Sequence, residues 1–149
     1  MSDVSQTYAT DVAASPQHCF DVLVDFADYP RWSSPITECE VIERWPDGLP
    51  KRVAFALDMT IRTIRYVLEY HWTPPEGGTW RMVSGDLAGV EGEYRFTPLP
   101  DGRTRATCSQ AIDLGFWLPG FLRSTAEKKA LRDSVEEFRA AAEARAARG

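Results

Sequence analysis

The feature that most constrains the fold is an alternation of apolar and polar side chains between Val53 and Ile112. A period of two residues is the spacing at which a β-strand turns successive side chains to opposite faces. The pattern therefore predicts an antiparallel sheet with one dry face and one face in water. The side chains assigned to the dry, inner face are Val53, Phe55, Leu57, Met59, Tyr66, Leu68, Tyr70, Trp72, Trp80, Met82, Tyr94, Phe96, Cys108, Gln110 and Ile112.

A long amphipathic helix is predicted after Pro119 and Gly120, because apolar residues then recur at helical spacing. Its apolar stripe consists of Leu122, Ala126, Leu131, Val135, Phe138 and Ala142. Strands are predicted over residues 6–13, 36–45, 51–60, 62–72, 79–84, 90–98 and 104–114. Ser15 and Pro16 begin a first short helix over residues 16–26; a break at residues 29–32 separates it from a short second helical turn. A curved sheet of this kind can bury its dry face only against the last helix, and it leaves space for a cavity.

Composition narrows the class of protein. The 149 residues, 44% of them hydrophobic, predict one domain spanning residues 1–149 with a sizeable core. The net charge of -5 argues against nucleic acid as a partner. No apolar run approaches the ~18 residues of a membrane span. The first eleven residues lack the order of a signal peptide, so a cytoplasmic location is expected.

Cysteine and histidine usage argues against metal and cofactor chemistry. Cys19, Cys39 and Cys108 are far apart and form no C-x-x-C pair, and His18 and His71 are the only histidines. A disulfide framework or a metal site is therefore not expected. We expect no cofactor.

Several short segments form a familiar set: Val12-Ala13-Ala14-Ser15-Pro16, Phe20-Asp21-Val22-Leu23, Phe26-Ala27-Asp28-Tyr29-Pro30-Arg31-Trp32, Asp101-Gly102-Arg103-Thr104-Arg105 and Leu118-Pro119-Gly120-Phe121-Leu122. Together they resemble the START/Bet v1-like (SRPBCC) superfamily, and within it the bacterial polyketide cyclase/dehydrase group, which includes coenzyme-Q-binding proteins. The resemblance implies an α+β helix-grip fold, in which a curved antiparallel sheet holds a C-terminal helix over a hydrophobic cavity. Members include aromatase/cyclases, lipid and quinone carriers, and a ribosome-binding toxin.

One departure from that group concerns its catalytic cation. Polyketide aromatase/cyclases of this kind use a cavity arginine, aided by a tyrosine. Alignment places Tyr70 where the arginine would stand and Cys39 near the tyrosine position. Arg62 and Arg65 fall on the outer face by parity, so we expect a cavity without an arginine.

The resemblance and the alternation together predict a ligand-binding set: Trp32, Phe55, Leu57, Tyr70, Trp72, Trp80, Met82, Tyr94, Phe96, Cys108, Gln110, Phe121 and Leu122. Tyr70, Tyr94 and Gln110 would orient the polar end of the ligand, and Tyr70 and Gln110 are the catalytic candidates. The alternative is an ordinary core, with Trp32 as a corner anchor and Cys108 as a small buried hydrophobe. Glu127, Lys128 and Lys129 are either a solvated face or the rim of the cavity. The glycine-rich stretch 85–92 is a candidate gate.

Three functions remain open from the sequence. The first is binding of a small hydrophobic molecule, such as a polyketide, a fatty-acyl lipid or a quinone, in an aromatic-lined cavity. The second is a polyketide cyclase/dehydrase acting on a poly-β-ketone, and the third is a ribosome- or protein-interaction module. We expect a monomer, because charged side chains on the strand over residues 36–45 discourage pairing between chains.

Overall fold

The computed structural model describes residues 5–60, 62–115 and 119–148, with the side chain of Phe121 excepted. Strand β1 (Gln6–Val12) is followed by helix α1 (Pro16–Val24), a 3-10 turn (Phe26–Asp28) and helix α2 (Tyr29–Trp32). The remaining elements are β2 (Ile36–Arg44), β3 (Pro50–Asp58), β4 (Thr63–Thr73), β5 (Gly77–Gly85), β6 (Gly89–Pro98), β7 (Thr104–Asp113) and the long helix α3 (Gly120–Ala147).

The strands form one antiparallel sheet in the order β1-β7-β6-β5-β4-β3-β2. Strands β1 and β2 are therefore the edges, and the aromatic side chains of the central strands face α3. Phe55 on β3 pairs with Tyr66 on β4, and their rings stack with centroids 5.4 Å apart. The predicted α+β helix-grip fold is confirmed.

Met59 is the exception to the predicted inner set. It lies beyond the end of β3 and is 50% exposed. Its backbone N–H donates to the carbonyl oxygen of Arg62 at 3.0 Å, so the chain is already turning back at this point. The alternation of apolar and polar residues in the sequence therefore continues for one residue beyond the end of the strand.

The two short helices follow local capping rules. Ser15 lies at the N-cap of α1, and its Oγ accepts from the backbone N–H of His18 at 3.1 Å, as predicted. Pro30, which we expected to break the helical path, instead lies in the first turn of α2. A first helical turn accepts proline because its N–H groups have no partner within the helix.

Helix α3 packs on the fold mainly from Leu131 onward, where Leu131, Val135, Phe138 and Ala142 are buried. The prediction was wrong for the start of the stripe, because Leu122 is 51% exposed and Ala126 is exposed as well. Polar contacts also cluster toward the C-terminal half. Tyr8 Oη of β1 donates to Glu136 Oε2 at 2.6 Å, and the Ala13 N–H donates to Glu143 Oε2 at 2.9 Å.

Candidate functional site

A cavity of about 210 Å³ lies between the inner face of the sheet, the short helices and the middle of α3. Its walls are mostly apolar and aromatic, which is the usual character of a small-molecule site. The lining residues are Leu23, Tyr29, Trp32, Ser33, Pro35, Ile36, Phe55, Leu57, Tyr66, Leu68, Tyr70, Trp80, Leu87, Val90, Tyr94, Cys108, Gln110, Ile112, Glu127, Ala130, Leu131, Ser134 and Phe138.

Unpartnered polar atoms distinguish this cavity from an ordinary core. Within the described part of the chain, the buried side-chain N and O atoms without a hydrogen-bond partner are Trp32 Nε1, Tyr94 Oη and Glu127 Oε2. All three residues line the cavity. Buried polar groups are normally hydrogen-bonded, and each that is not calls for an explanation. Here they place an indole N–H, a phenol and a carboxyl around one apolar space.

Trp32 packs between two helices and also lines the cavity. Its ring packs 4.7 Å from that of Tyr29 and 6.1 Å from that of Phe138, so it fastens α2 to α3. It also lines the cavity with an indole N–H that no described residue accepts. An indole nitrogen can only donate, so this group would suit a ligand oxygen.

Tyr94 is held rigidly on the central strand β6. Its ring lies 5.0 Å from Phe138 on α3 and 6.0 Å from Trp80 on β5. Burial is the largest cause that raises the pKa of this phenol well above its usual range. The group therefore stays protonated and can act as a hydrogen-bond donor, while acting as a base is disfavoured.

Gln110 and Trp80 form one unit across three strands. Trp80 pairs with Gly92, and Gly92 in turn pairs with Gln110. The indole N–H of Trp80 donates to Gln110 Oε1 at 3.1 Å across the glycine. This bond occupies the amide oxygen, so the NH₂ group is what Gln110 retains as a donor for a ligand.

Tyr70, the other catalytic candidate, also lines the cavity. Its ring stacks on Trp72 at 4.9 Å, and burial raises the pKa of its hydroxyl well above the usual value. A general-acid role for this phenol depends on a lowered pKa, and the shift runs in the opposite direction. Acid catalysis by Tyr70 is disfavoured on that account.

Glu127 was not among the predicted site residues, although its helix face was a candidate rim. It lies on α3 one turn before Leu131, and its side chain lines the cavity. Burial raises the pKa of its carboxyl, against a smaller opposite effect of the Arg123 guanidinium. The spacing to Leu131 and Phe138 was the signal that could have found it, since residues four and eleven positions apart share a helix face.

Of the other predicted site residues, Phe55, Leu57 and Cys108 line the cavity, whereas four do not. Trp72 donates its indole N–H to the carbonyl oxygen of Pro50 at 2.7 Å and packs against Phe20. Phe96 stacks on Phe138 in the solid core, Met82 contributes to a cleft on the sheet, and Leu122 is exposed. The side chain of Phe121 lies outside the described residues. Ligand contact by the rest of the predicted set stays a prediction.

The cavity wall carries no positive charge among the described residues: its lining contains no Lys, Arg or His. Arg65 lies on the outer face by strand parity, where its Nη2 pairs with Glu38 Oε2 at 3.3 Å, and Arg62 is exposed. Cys39 lies on β2 opposite Phe55 and does not line the cavity. Burial raises the pKa of both Cys39 and Cys108 to about 12, so these thiols are not nucleophiles at neutral pH.

The stretch proposed as a gate is anchored on both sides. The carboxylate of Asp86 accepts from the Arg65 N–H at 2.8 Å, and the Ala88 N–H donates to the Asp113 carbonyl at 2.9 Å. Leu87, between them, lines the cavity. The stretch therefore forms part of the wall in this conformation.

A wider groove of about 600 Å³ runs over the outer face of β4–β7. At its base, buried Glu69 accepts from Arg52 Nε at 3.1 Å and lies 3.2 Å from His71 Nε2. These contacts explain a charged residue at that position, and the hydrogen bond from Arg52 is the largest cause that lowers the pKa of Glu69.

Across the described ranges, no group of three or more His, Cys, Asp or Glu side chains could hold a metal ion. None of the helices in the described part of the chain combines the length and the apolar character of a membrane span.

Comparison with solved structures identifies the fold. A START superfamily protein from Mycobacterium smegmatis superposes with a TM-score of 0.80 at 20% identity, covering 97% of each chain. The Zhui aromatase/cyclase from Streptomyces sp. R1128 gives 0.78 at 19% identity, covering 95% of this chain and 94% of that one. A protein from Thermus thermophilus gives 0.79 at 18% identity, with 96% and 97% covered.

Sequence comparison gives the family. No curated protein matches this chain significantly. A sequence profile described as "polyketide cyclase / dehydrase and lipid transport" matches residues 3–146. The match spans nearly the whole chain, including every element that builds the cavity. The chain therefore belongs to the polyketide cyclase/dehydrase and lipid transport family.

Proposed function

We propose that this protein binds a small hydrophobic molecule in the cavity beneath α3 and orients it through Trp32, Tyr94 and Glu127. The observation that carries the proposal is the convergence on one apolar cavity of three buried polar atoms that have no partner among the described residues. In a solid core such atoms destabilise the fold, because no hydrogen bond compensates for their loss of hydration. On entry, a ligand oxygen would accept from the Trp32 N–H and the Tyr94 hydroxyl, and the Glu127 carboxyl would pair with it when protonated.

The size of the cavity favours a compact ligand. A dry cavity of about 150 Å³ accepts benzene, and this one measures about 210 Å³. Drug-sized ligands occupy pockets of roughly 300–1,000 Å³. A molecule of one or two rings, such as a quinone or a cyclised polyketide, therefore fits better than an extended fatty-acyl chain.

The first test is to identify what the protein carries. The protein is purified under native conditions, and the bound small molecules are extracted and analysed by mass spectrometry. A recurrent aromatic or quinone-like compound, present in wild-type protein and lost from a cavity-filling variant, is the expected result. Ser134→Phe places a ring into the cavity wall, and Arg132→Phe places the same ring on the exposed side of α3 as the control.

The proposal fails if the folded wild-type protein is empty and binds no aromatic probe. It also fails if Ser134→Phe and Arg132→Phe retain the same compound in the same amount, because the compound would then lie elsewhere.

A second candidate function is catalysis on a poly-β-ketone, and Glu127 is the observation that favours it. A carboxyl whose pKa is raised by burial holds its proton more readily and can deliver it to a keto oxygen. The expected result is that Glu127→Gln still binds an aromatic ketone but no longer turns over a poly-β-ketone substrate. Unchanged turnover in Glu127→Gln would remove the carboxyl from any mechanism.

A further inference from the structure

The charges around the cavity differ in sign from what an acidic ligand requires. Glu127 is the ionisable carboxyl of the wall, and the described lining contributes no cationic side chain. Arg123, one turn earlier on α3, is not part of the lining. The other polar side chains of the lining are neutral: they are phenols, hydroxyls, an amide, a thiol and two indoles, among them Tyr94 and Trp32.

An anionic ligand meets a penalty in either state of Glu127. When the carboxyl is ionised, a ligand carboxylate faces a like charge in a space that excludes water, where repulsion is strong. When the carboxyl is protonated, the ligand carboxylate still gives up its hydration without gaining a cation, and burial of an unpaired charge is unfavourable. Neither state supplies the positive partner that carboxylate binding sites use.

An uncharged carbonyl meets no such penalty. Its oxygen accepts from the Trp32 N–H or the Tyr94 hydroxyl, which lack partners in the described structure. Each bond pairs a group that is otherwise buried and unsatisfied, so the ligand gains affinity where the empty protein carries a cost. The aromatic wall then contributes in proportion to the apolar area that the ligand buries.

On this basis we infer that the cavity selects uncharged, oxygen-bearing aromatic ligands over carboxylates, with Glu127 as the residue that sets this choice. The inference rests on the proposed binding function and names the ligand class of the same site. It excludes free fatty acids and aromatic acids, and it admits ketones, phenols and quinones.

The test uses two probes of nearly the same shape, 2-acetonaphthone and 2-naphthoate, which differ in a methyl group against a charged oxygen. Their affinities are measured by isothermal titration calorimetry at neutral pH on wild type, Glu127→Gln and Glu76→Gln. Glu76 is exposed in the β4–β5 turn and serves as an isosteric control far from the wall.

We expect wild type and Glu76→Gln to bind the ketone at least about tenfold more tightly than the acid. A tenfold ratio of dissociation constants corresponds to about 1.4 kcal/mol, and bringing two like charges together costs more than that. In Glu127→Gln the acid is expected to gain affinity relative to the ketone, which narrows the ratio of the two dissociation constants to about threefold or less. Glu127→Lys, which installs a cation, should reverse the preference.

The outcomes separate the two levels of the argument. Equal binding of ketone and acid by wild type, or an unchanged ratio in both Glu127 variants, contradicts the charge selection and leaves ligand binding intact. Failure of both probes to bind folded wild-type protein contradicts the proposed function itself. Circular dichroism of each variant shows whether a lost affinity reflects a lost fold.

Discussion

Removal of the hydroxyl from two buried tyrosines is expected to change the free energy of unfolding in opposite directions. Tyr94 is 8% exposed, and its hydroxyl has no partner in the described structure. Tyr29 is 7% exposed, and its hydroxyl donates to the backbone carbonyl of Leu23 at 2.5 Å. Both phenols line the same cavity, and burial is the first cause that raises the pKa of each. They differ in hydrogen bonding.

The magnitudes follow from that difference. A buried unsatisfied polar group costs about 1–3 kcal/mol, so Tyr94→Phe should raise the free energy of unfolding of the empty protein by about 1 kcal/mol. Tyr29→Phe loses a net bond of roughly 0.5–1.5 kcal/mol and leaves a buried carbonyl unpaired, so it should lower that free energy by at least about 1 kcal/mol. The two variants should therefore differ by about 2 kcal/mol.

Urea denaturation of ligand-free protein measures this directly. The midpoint of Tyr94→Phe should lie above wild type and that of Tyr29→Phe below it, with the same slope in all three. In the same Tyr94→Phe protein, affinity for 2-acetonaphthone should fall, because the group that costs stability is the group that binds. If Tyr94→Phe is destabilised as much as Tyr29→Phe, the Tyr94 hydroxyl is satisfied in the folded protein, and the reasoning from unpartnered cavity atoms is refuted.

Two further predictions concern the frame around the cavity. A Cβ at Gly92 would lie 2.5 Å from the Ser109 carbonyl oxygen and 2.7 Å from the Trp80 ring. Gly92→Ala should therefore lower the free energy of unfolding, measured in urea, by about 1–3 kcal/mol and weaken ketone binding. At Gly89 the nearest atom is 3.9 Å away, and an equally large loss of stability in Gly89→Ala would contradict this reasoning. The Tyr8 hydroxyl, followed by Arg139, lowers the pKa of Glu136 in the folded protein, so this carboxylate stabilises the fold above its unfolded pKa and loses that contribution as pH falls through the folded one. Glu136→Gln should therefore lower the unfolding midpoint at neutral pH and have a much smaller effect near about pH 3, and an equal loss at both values would show that the charge is not involved.

The sheet could be read from the sequence because strand parity is a property of neighbouring residues. Tyr66, Leu68 and Tyr70 keep the inner face and Arg65 the outer one, although the β4–β5 pairing shifts register between Val67 and Leu68. Parity does not say where a strand ends. The sequence allowed a tight turn or bulge near residues 59–62, and the backbone hydrogen bond from Met59 to Arg62 places Met59 in that turn and not in the strand.

The helical side of the site was less predictable, for a different physical reason. An apolar stripe finds the face of a helix that packs on a solid core, and it located Leu131, Val135 and Phe138. Where a cavity replaces the core, a polar side chain can occupy the same face. Glu127 does so, while Leu122, which the stripe favoured, is left in solvent.

The unpartnered atoms connect stability to ligand binding in this fold. An empty cavity with an unsatisfied indole N–H, phenol and carboxyl makes the ligand-free protein less stable than its packing would allow. A ligand that pairs with them stabilises the folded state by mass action, and relief of that cost is part of its affinity, because only the folded state assembles the three groups. A ketone and a hydrocarbon of equal apolar area should therefore raise the midpoint of unfolding unequally. The difference should become smaller in the protein that combines Trp32→Phe with Tyr94→Phe, since two of the donors that would bind the carbonyl oxygen are then absent.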